Sequence, residues 1–227
     1  MSANDMVLGF SMVLVFVLGV LKGYELLMDA RVRNLADQVV KIQSSYFKFI
    51  DFYRQIPGDW RAAEASIVIP GIQNGGNGNG VLDMVEGDPW VESLAVWEHL
   101  QKANFLDIDR LGESSLKGKG IVKVPFNAFG APMSLFSSRD YYDPSGTSVF
   151  RVGLLLGEDI PVSVLAGLDK KIDDGYPGSG VIRFVATNGK TFGEHSQSGG
   201  MCVDESQIPP VWITNNPETK CNGIHLY

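Results

Sequence analysis

The sequence predicts an α+β protein in which one long N-terminal α-helix is packed on a small antiparallel β-sheet head. Three observations lead there. No charged residue occurs from Met6 to Leu21. Apolar residues then recur at helical spacing as far as Tyr53, with no linker between the two patterns. Beyond Pro57 the chain turns to short β-branched runs separated by glycine, proline and aspartate.

The helix is the first element. Met28, Val32, Leu35, Val39, Ile42, Tyr46, Phe49 and Tyr53 alternate steps of four and three, which keeps them on one face. Asp29, Arg31, Arg33, Asp37, Gln38, Lys41, Gln43, Lys48 and Asp51 fill a back expected to be mostly solvated. No proline precedes Pro57, and Pro57-Gly58-Asp59 is a stop signal. A helix over residues 1–54 reaches roughly 80 Å at ~1.5 Å per residue. A head formed by residues 55–227 cannot cover a rod of that length. The amphipathic half, 28–54, can pack on the head; the first half, 1–27, has to find cover in lipid or in other copies of the chain.

The uncharged run of sixteen residues is shorter than the roughly 20 of an unaided membrane span. Counting on to Leu27 lengthens it if Lys22 snorkels. No Lys or Arg lies between Met1 and Leu21, whereas Lys22, Arg31 and Arg33 follow. The positive-inside tendency would then send the head to the cytoplasm, where a glycine-rich head with two cysteines is out of place. The conflict disappears if a basic leader has been removed and Met1 begins the mature chain.

In the head, a Gly/Asn loop runs from Pro70 to Gly80. A helix is expected at about Pro89–Asn104, with Leu94, Trp97, Leu100 and Ala103 as its apolar stripe. Strands are expected at Gly120–Val124, Ser148–Leu156, Gly180–Ala186 and Val211–Thr214, with helical turns at Pro161–Leu168. Trp97 and His99 read as core and edge residues of a packed helix. Cys202 and Cys221 are the only cysteines. An even pair in an exported chain suggests one disulfide, closing a loop that holds Pro209, Pro210 and Trp212.

The Gly/Asn loop carries the one ligand pattern. With Gly80 as the sixth position of a calcium loop, Asn77 is third, Asn79 fifth, Val81 seventh through its carbonyl, Asp83 ninth and Glu86 twelfth. The first position is Gly75, which has no ligand, so the expected Ca²⁺ affinity is weak. The alternative is a plain turn-rich loop. Asp173 and Asp174 form a second acidic candidate. A net charge of −7 and a pI near 4.9, without a basic cluster, disfavour dedicated nucleic-acid binding. Nucleophile-elbow, zinc-protease, Walker and dinucleotide motifs are missing, and His99, His195 and His225 lie on separate segments, so no enzyme is expected.

These features resemble a family, the bacterial type IV pilins and type II secretion pseudopilins in processed form. Their hydrophobic N-terminal helix carries an acid at the fifth mature position, where this chain has Asp5. Departures from the pattern are Asp for the usual Glu, the polar residues Ser2 and Asn4, and Lys22 where proline is common. Downstream, "YFKFIDFYRQIPGDW" (46–60), "GNGNGVLD" (76–83), "ESLAVWEHLQKANFLD" (92–107) and "LDKKIDDGYPGSGVIR" (168–183) are similar, in family order, to blocks of one pilin-like subfamily. The resemblance implies the pilin fold, removal of the leader by a prepilin peptidase, methylation of the Met1 amine, and a surface region bounded by the Cys202–Cys221 disulfide. It also implies a helical homopolymer, held in the inner membrane before an assembly machine extracts it into an extracellular or periplasmic filament.

Asp5 then has two readings. Ser2-x-x-Asp5 is a capping box at the positive helix end. Alternatively, the carboxylate enters an apolar filament core and pairs with the Met1 amine of a neighbouring copy, which fixes axial register. Gly9, Gly19 and Gly23 are poor helix formers, so part of the rod between them is expected to loosen on assembly. The expected function is that of a structural filament subunit. The alternatives are a monomeric membrane-anchored extracytoplasmic binding module and a minor pseudopilin of a secretion system.

Overall fold

The computed structural model describes residues 3–83, 91–107, 111–115, 121–158, 160–185, 202–216 and 219–227. Helix α1, Ala3–Tyr53, is unbroken over 51 residues. Its expected inner face is the one that packs: Leu35, Val39, Ile42 and Phe49 are fully buried, Tyr46 nearly so, and Met28, Val32 and Tyr53 border the core. The helix ends as Arg54 enters the left-handed region at φ 55°, its N–H still donating to the Ile50 carbonyl at 2.8 Å. Among the described residues, no helix is long and apolar enough to cross a membrane.

The head follows in chain order: α2 (Ala62–Val68), α3 (Val91–Lys102), β1 (Leu111–Ser115), β2 (Ile121–Pro125), β3 (Ser134–Ser138), β4 (Arg151–Leu155), β5 (Ile160–Pro161), α4 (Val162–Ile172), β6 (Ile182–Phe184), β7 (Val203–Asp204), β8 (Val211–Trp212), β9 (Lys220–Cys221) and β10 (Gly223–Leu226). The main sheet is antiparallel, in the order β3-β4-β10-β6. Leu135 lies opposite Leu154, and His225 lies opposite both Leu154 and Ile182. Because side chains alternate across a strand, this set turns toward α1. Phe136, Leu155, Ile224 and Leu226 turn the other way and form a second cluster with Tyr141 and Val185. Gly153 gives β10 its close approach, since a Cβ there would lie 2.6 Å from Ile224 Cδ1.

The α+β class with a small antiparallel sheet is therefore present, with a membership the sequence only partly anticipates. The expected strands at 148–156 and 180–186 shorten to β4 and β6. The segment at 120–124 is β2, which pairs with β1 outside the main sheet, and 211–214 is β8, which forms a ribbon with β7. Strands β3 and β10 and helix α2 were not expected. Helix α4 extends the expected turns at 161–168 and packs on α1, where Gly167 brings the position of a Cβ to 3.0 Å from Val32. Cys202 and Cys221 are joined in a disulfide, with Cα atoms 6.0 Å apart across a sequence separation of 19. Closing such a loop contributes roughly 3 kcal/mol in the chain-entropy picture. Trp212 anchors the same loop from inside, its indole N–H donating to the buried Asp169 carboxylate at 2.6 Å.

Candidate functional site: the bare rod and the stapled loop

Two features stand out, and they sit at opposite ends of α1. At the free end, the large apolar side chains from Met12 to Leu27 are between 46 and 72% exposed, and they occur on every side of the helix. Only an exposed Lys22–Glu25 ion pair at 2.6 Å decorates this stretch. An all-round apolar helix is stable only when something surrounds it. Asp5 lies inside α1, with its side-chain surroundings outside the described residues. Met1, Ser2, Glu86 and His195 also lie outside them.

At the head end, three segments that read as separate motifs form one hydrogen-bond network. Asp59, from the helix exit, accepts the Asn79 N–H at 3.0 Å and the Gly80 N–H at 2.8 Å. Glu92, at the start of α3, accepts the Asn77 N–H at 3.0 Å and the Asp83 N–H at 2.8 Å. Glu98 accepts the Gln73 and Asn74 backbone N–H groups and the Asn74 amide. His99 closes the network: its Nδ1 accepts the Gly58 N–H at 3.0 Å, which leaves its Nε2–H to donate to the Asn74 carbonyl at 2.9 Å. Its ring stacks on Phe49 at 6.0 Å. Gly58 has φ 93°, and a Cβ there would lie 2.5 Å from both the Glu92 carbonyl and Val96. Glycine at this turn is a packing requirement as well as a conformational one.

These carboxylates bear on the calcium expectation. The Asn77 and Asn79 side-chain oxygens accept the Asn79 and Val81 N–H groups, each at 2.9 Å, and the Asn79 amide donates to Asp83 Oδ2 at 3.0 Å. The asparagines thus close turns and are not drawn together around a common centre. Among the described residues, however, the buried Asp83 Oδ1 has no hydrogen-bond partner. Asp59 and Glu92, which the sequence reading did not single out, are buried beside it, and no basic side chain pairs with either among the described residues. Burial holds the Glu92 carboxyl above its ordinary range. A partial signal existed for Glu92 alone: it falls in the first turn of a helix that reads as packed, and an acid buried there needs donors.

The second acidic candidate gains Asp169, whose ligand atoms lie with those of Asp173 and Asp174 within 4.8 Å of one another. Their oxygens fold the turn that follows α4. Asp173 accepts the Val181 and Ile182 N–H groups, Asp174 accepts Tyr176 N–H and the Ser179 hydroxyl, and Asp169 accepts Gly175 N–H besides Trp212. Burial lifts the Asp169 carboxyl to about 6, against the pull of these donors. Burial also lowers His225 to about 4, with Arg151 adding and Asp173 opposing, and it lowers His99.

The linkage signs are opposed. A depressed histidine stabilises the fold above its unfolded value of about 6.5, and that stability is lost as pH falls toward the folded value. For His225 the full loss is on the order of 3 kcal/mol. The raised Asp169 contributes below about 3.9 and loses that contribution as pH rises through about 6. Between pH 4 and 6 the two offset each other. Asp169→Asn is therefore expected to lose stability more steeply than the parent chain as pH falls from 6.5 to 4.5, and His225→Leu less steeply. Urea midpoints across that range check both; parallel curves for all three proteins would contradict the assignment.

No protein-family model, curated protein or solved structure matches the chain.

Proposed function

We propose that this chain is a structural subunit of a type IV pilus-like filament, polymerising through α1. One observation carries the reading. A helix fixed to the head by its C-terminal half continues unbroken into a stretch, Met12 to Leu27, whose large apolar side chains are bare on every face. Other copies of the same rod supply a matching surface, and a bundle of them covers each rod on all sides. Before assembly the rod would sit in the inner membrane. The disulfide fits delivery to an oxidising compartment.

Asp5 would serve as the register element, its carboxylate meeting the amine of a neighbouring copy. Asp5→Ala is expected to leave the head's thermal midpoint unchanged and to cut the yield of sheared fibres at least tenfold. Normal yield from that variant would defeat the role. Calcium at the Asn77–Asp83 loop is the weaker part of the proposal. It is supported by the Asp83 oxygen and by the buried acids Asp59 and Glu92, for which the described residues supply no hydrogen-bond donor and no basic partner, respectively. Millimolar calcium, but not magnesium, is expected to raise the head's melting midpoint, and Asp83→Asn to abolish the rise. An unchanged midpoint in the parent chain would remove calcium from the account.

A further inference from the structure

A groove of about 520 Å³ opens at the foot of the head, where α1 leaves it, between α1 and α4. Its lining includes Tyr24, Met28, Val32 and Gly167, edged by Glu25, Asp29, Arg33 and Lys171. Higher on the same rod, Val40 and Phe47 are 53 and 44% exposed, Phe47 with one side of its ring 5.7 Å from that of Tyr227 in the head. They are one heptad apart and so lie in line. Charged residues surround them: Asp37, Lys41, Lys48, Asp51 and Arg54, all exposed.

We infer that the groove receives the Val40–Phe47 ridge of a second, parallel copy of this chain, displaced along the rod axis by roughly 17 residues, or about 26 Å at ~1.5 Å per residue. This deepens the filament reading and rests on it. The occupant is identified by two independent matches, both at displacements between 16 and 19 residues, a spread of about 4.5 Å along the rod that long side chains can span. Tyr24 meets Val40 and Met28 meets Phe47, so apolar knobs enter an apolar floor. The flanking charges also meet opposites: Glu25 faces Lys41, Asp29 faces Lys48, Arg33 faces Asp51 and Asp37 faces Arg54. Asp29, Arg33, Asp37, Lys41 and Lys48 form no ion pair within the described part of a single copy. The existing Lys22–Glu25 and Asp51–Arg54 pairs are exposed neighbours on one helix, which hold little and exchange readily. Copies without displacement would set every charge against its own kind. A displacement of about four residues satisfies Asp29–Arg33, Arg33–Asp37 and Asp37–Lys41, but it leaves Val40 and Phe47 without a groove. That smaller step suits the neighbour that meets Asp5, since a rod in a helical bundle has several neighbours at increasing axial offsets. Exposed charges of this kind set register more than they add affinity.

The test uses the full chain in cells that assemble it. Cys202 and Cys221 are already bonded to each other, so Met28→Cys with Phe47→Cys supplies the reactive thiols. Oxidation of intact fibres is expected to give a ladder of linked subunits, and either single variant to give none. A charge-exchange series gives a second readout: Asp29→Lys is expected to lower fibre yield about fivefold or more, and adding Lys48→Asp to restore it. Fibres that link Arg33→Cys to Asp37→Cys but not Met28→Cys to Phe47→Cys, or an unrescued Asp29→Lys, would overturn this register and leave the filament standing. Failure of the unaltered chain to enter fibres at all would instead overturn the filament reading.

Discussion

Leu18→Asp is expected to abolish fibre formation while the head keeps its stability. The side chain is more than half exposed and stands outside the head's core among the described residues, so a thermal scan of the variant head should overlay that of the parent. In an assembled bundle the same position is surrounded by apolar neighbours. An aspartate in such surroundings costs about 3 kcal/mol on insertion scales. That is more than a hundredfold in the affinity of each added subunit, and growth of a polymer repeats the penalty at every step. The measurement is the mass of chain recovered in sheared fibres against the mass left in the membrane fraction. Undiminished fibres would mean that the rod's apolar surface has another use.

Phe49→Ala is expected to have the largest effect on the head itself. Phe49 is fully buried, and its ring lies within 6.3 Å, centroid to centroid, of Tyr53, Trp60, His99 and Phe105. Truncation of a phenylalanine so placed costs about 3–5 kcal/mol. It also removes the surface on which His99 stacks, and His99 orders the Gly58 turn and the Asn74 carbonyl. The loss should therefore exceed that of Tyr53→Ala, whose ring is only partly buried at the margin. Denaturant midpoints of both variants check the order. A Phe49→Ala chain within about 1 kcal/mol of the parent would contradict the central position given to this ring.

How much of this was legible depends on what fixes each element. Helix α1 was readable along its whole length, because the four-three stepping from Met28 to Tyr53 is long and uninterrupted by proline. The bareness of Met12 to Leu21 followed from the uncharged run. Strand β10 was not readable. Gly223, Ile224, His225 and Leu226 have no strand-like alternation, since a central strand is buried on both faces; what makes them a strand is pairing with β4 on one side and β6 on the other. Strand β3 carries three serines among its five residues, and its identity likewise comes from its partner β4. Helix α2 is short and anchored through Ala65, the half-buried Ala62 and the neighbouring Ile69, too little pattern to detect.

The loop site was half legible. The asparagines and Asp83 stood out by spacing, whereas the carboxylates that organise the loop, Asp59, Glu92 and Glu98, come from other segments and act on backbone N–H groups that leave no mark in a sequence. Val40 and Phe47 were hidden for a related reason: they interrupt a polar back singly, and only their alignment with a groove on the same rod gives them meaning.

The central claim is that residues from Met12 to Leu27 are covered by other copies of the same rod. Cryo-electron microscopy of fibres sheared from cells, with the chain identified in the density, tests it most directly. The account requires a helical array with the rods bundled at the axis, each enclosed by several others, and the heads outside. Native material in which the chain occurs only as separate molecules, or in which its rod lies against its own head, would contradict it.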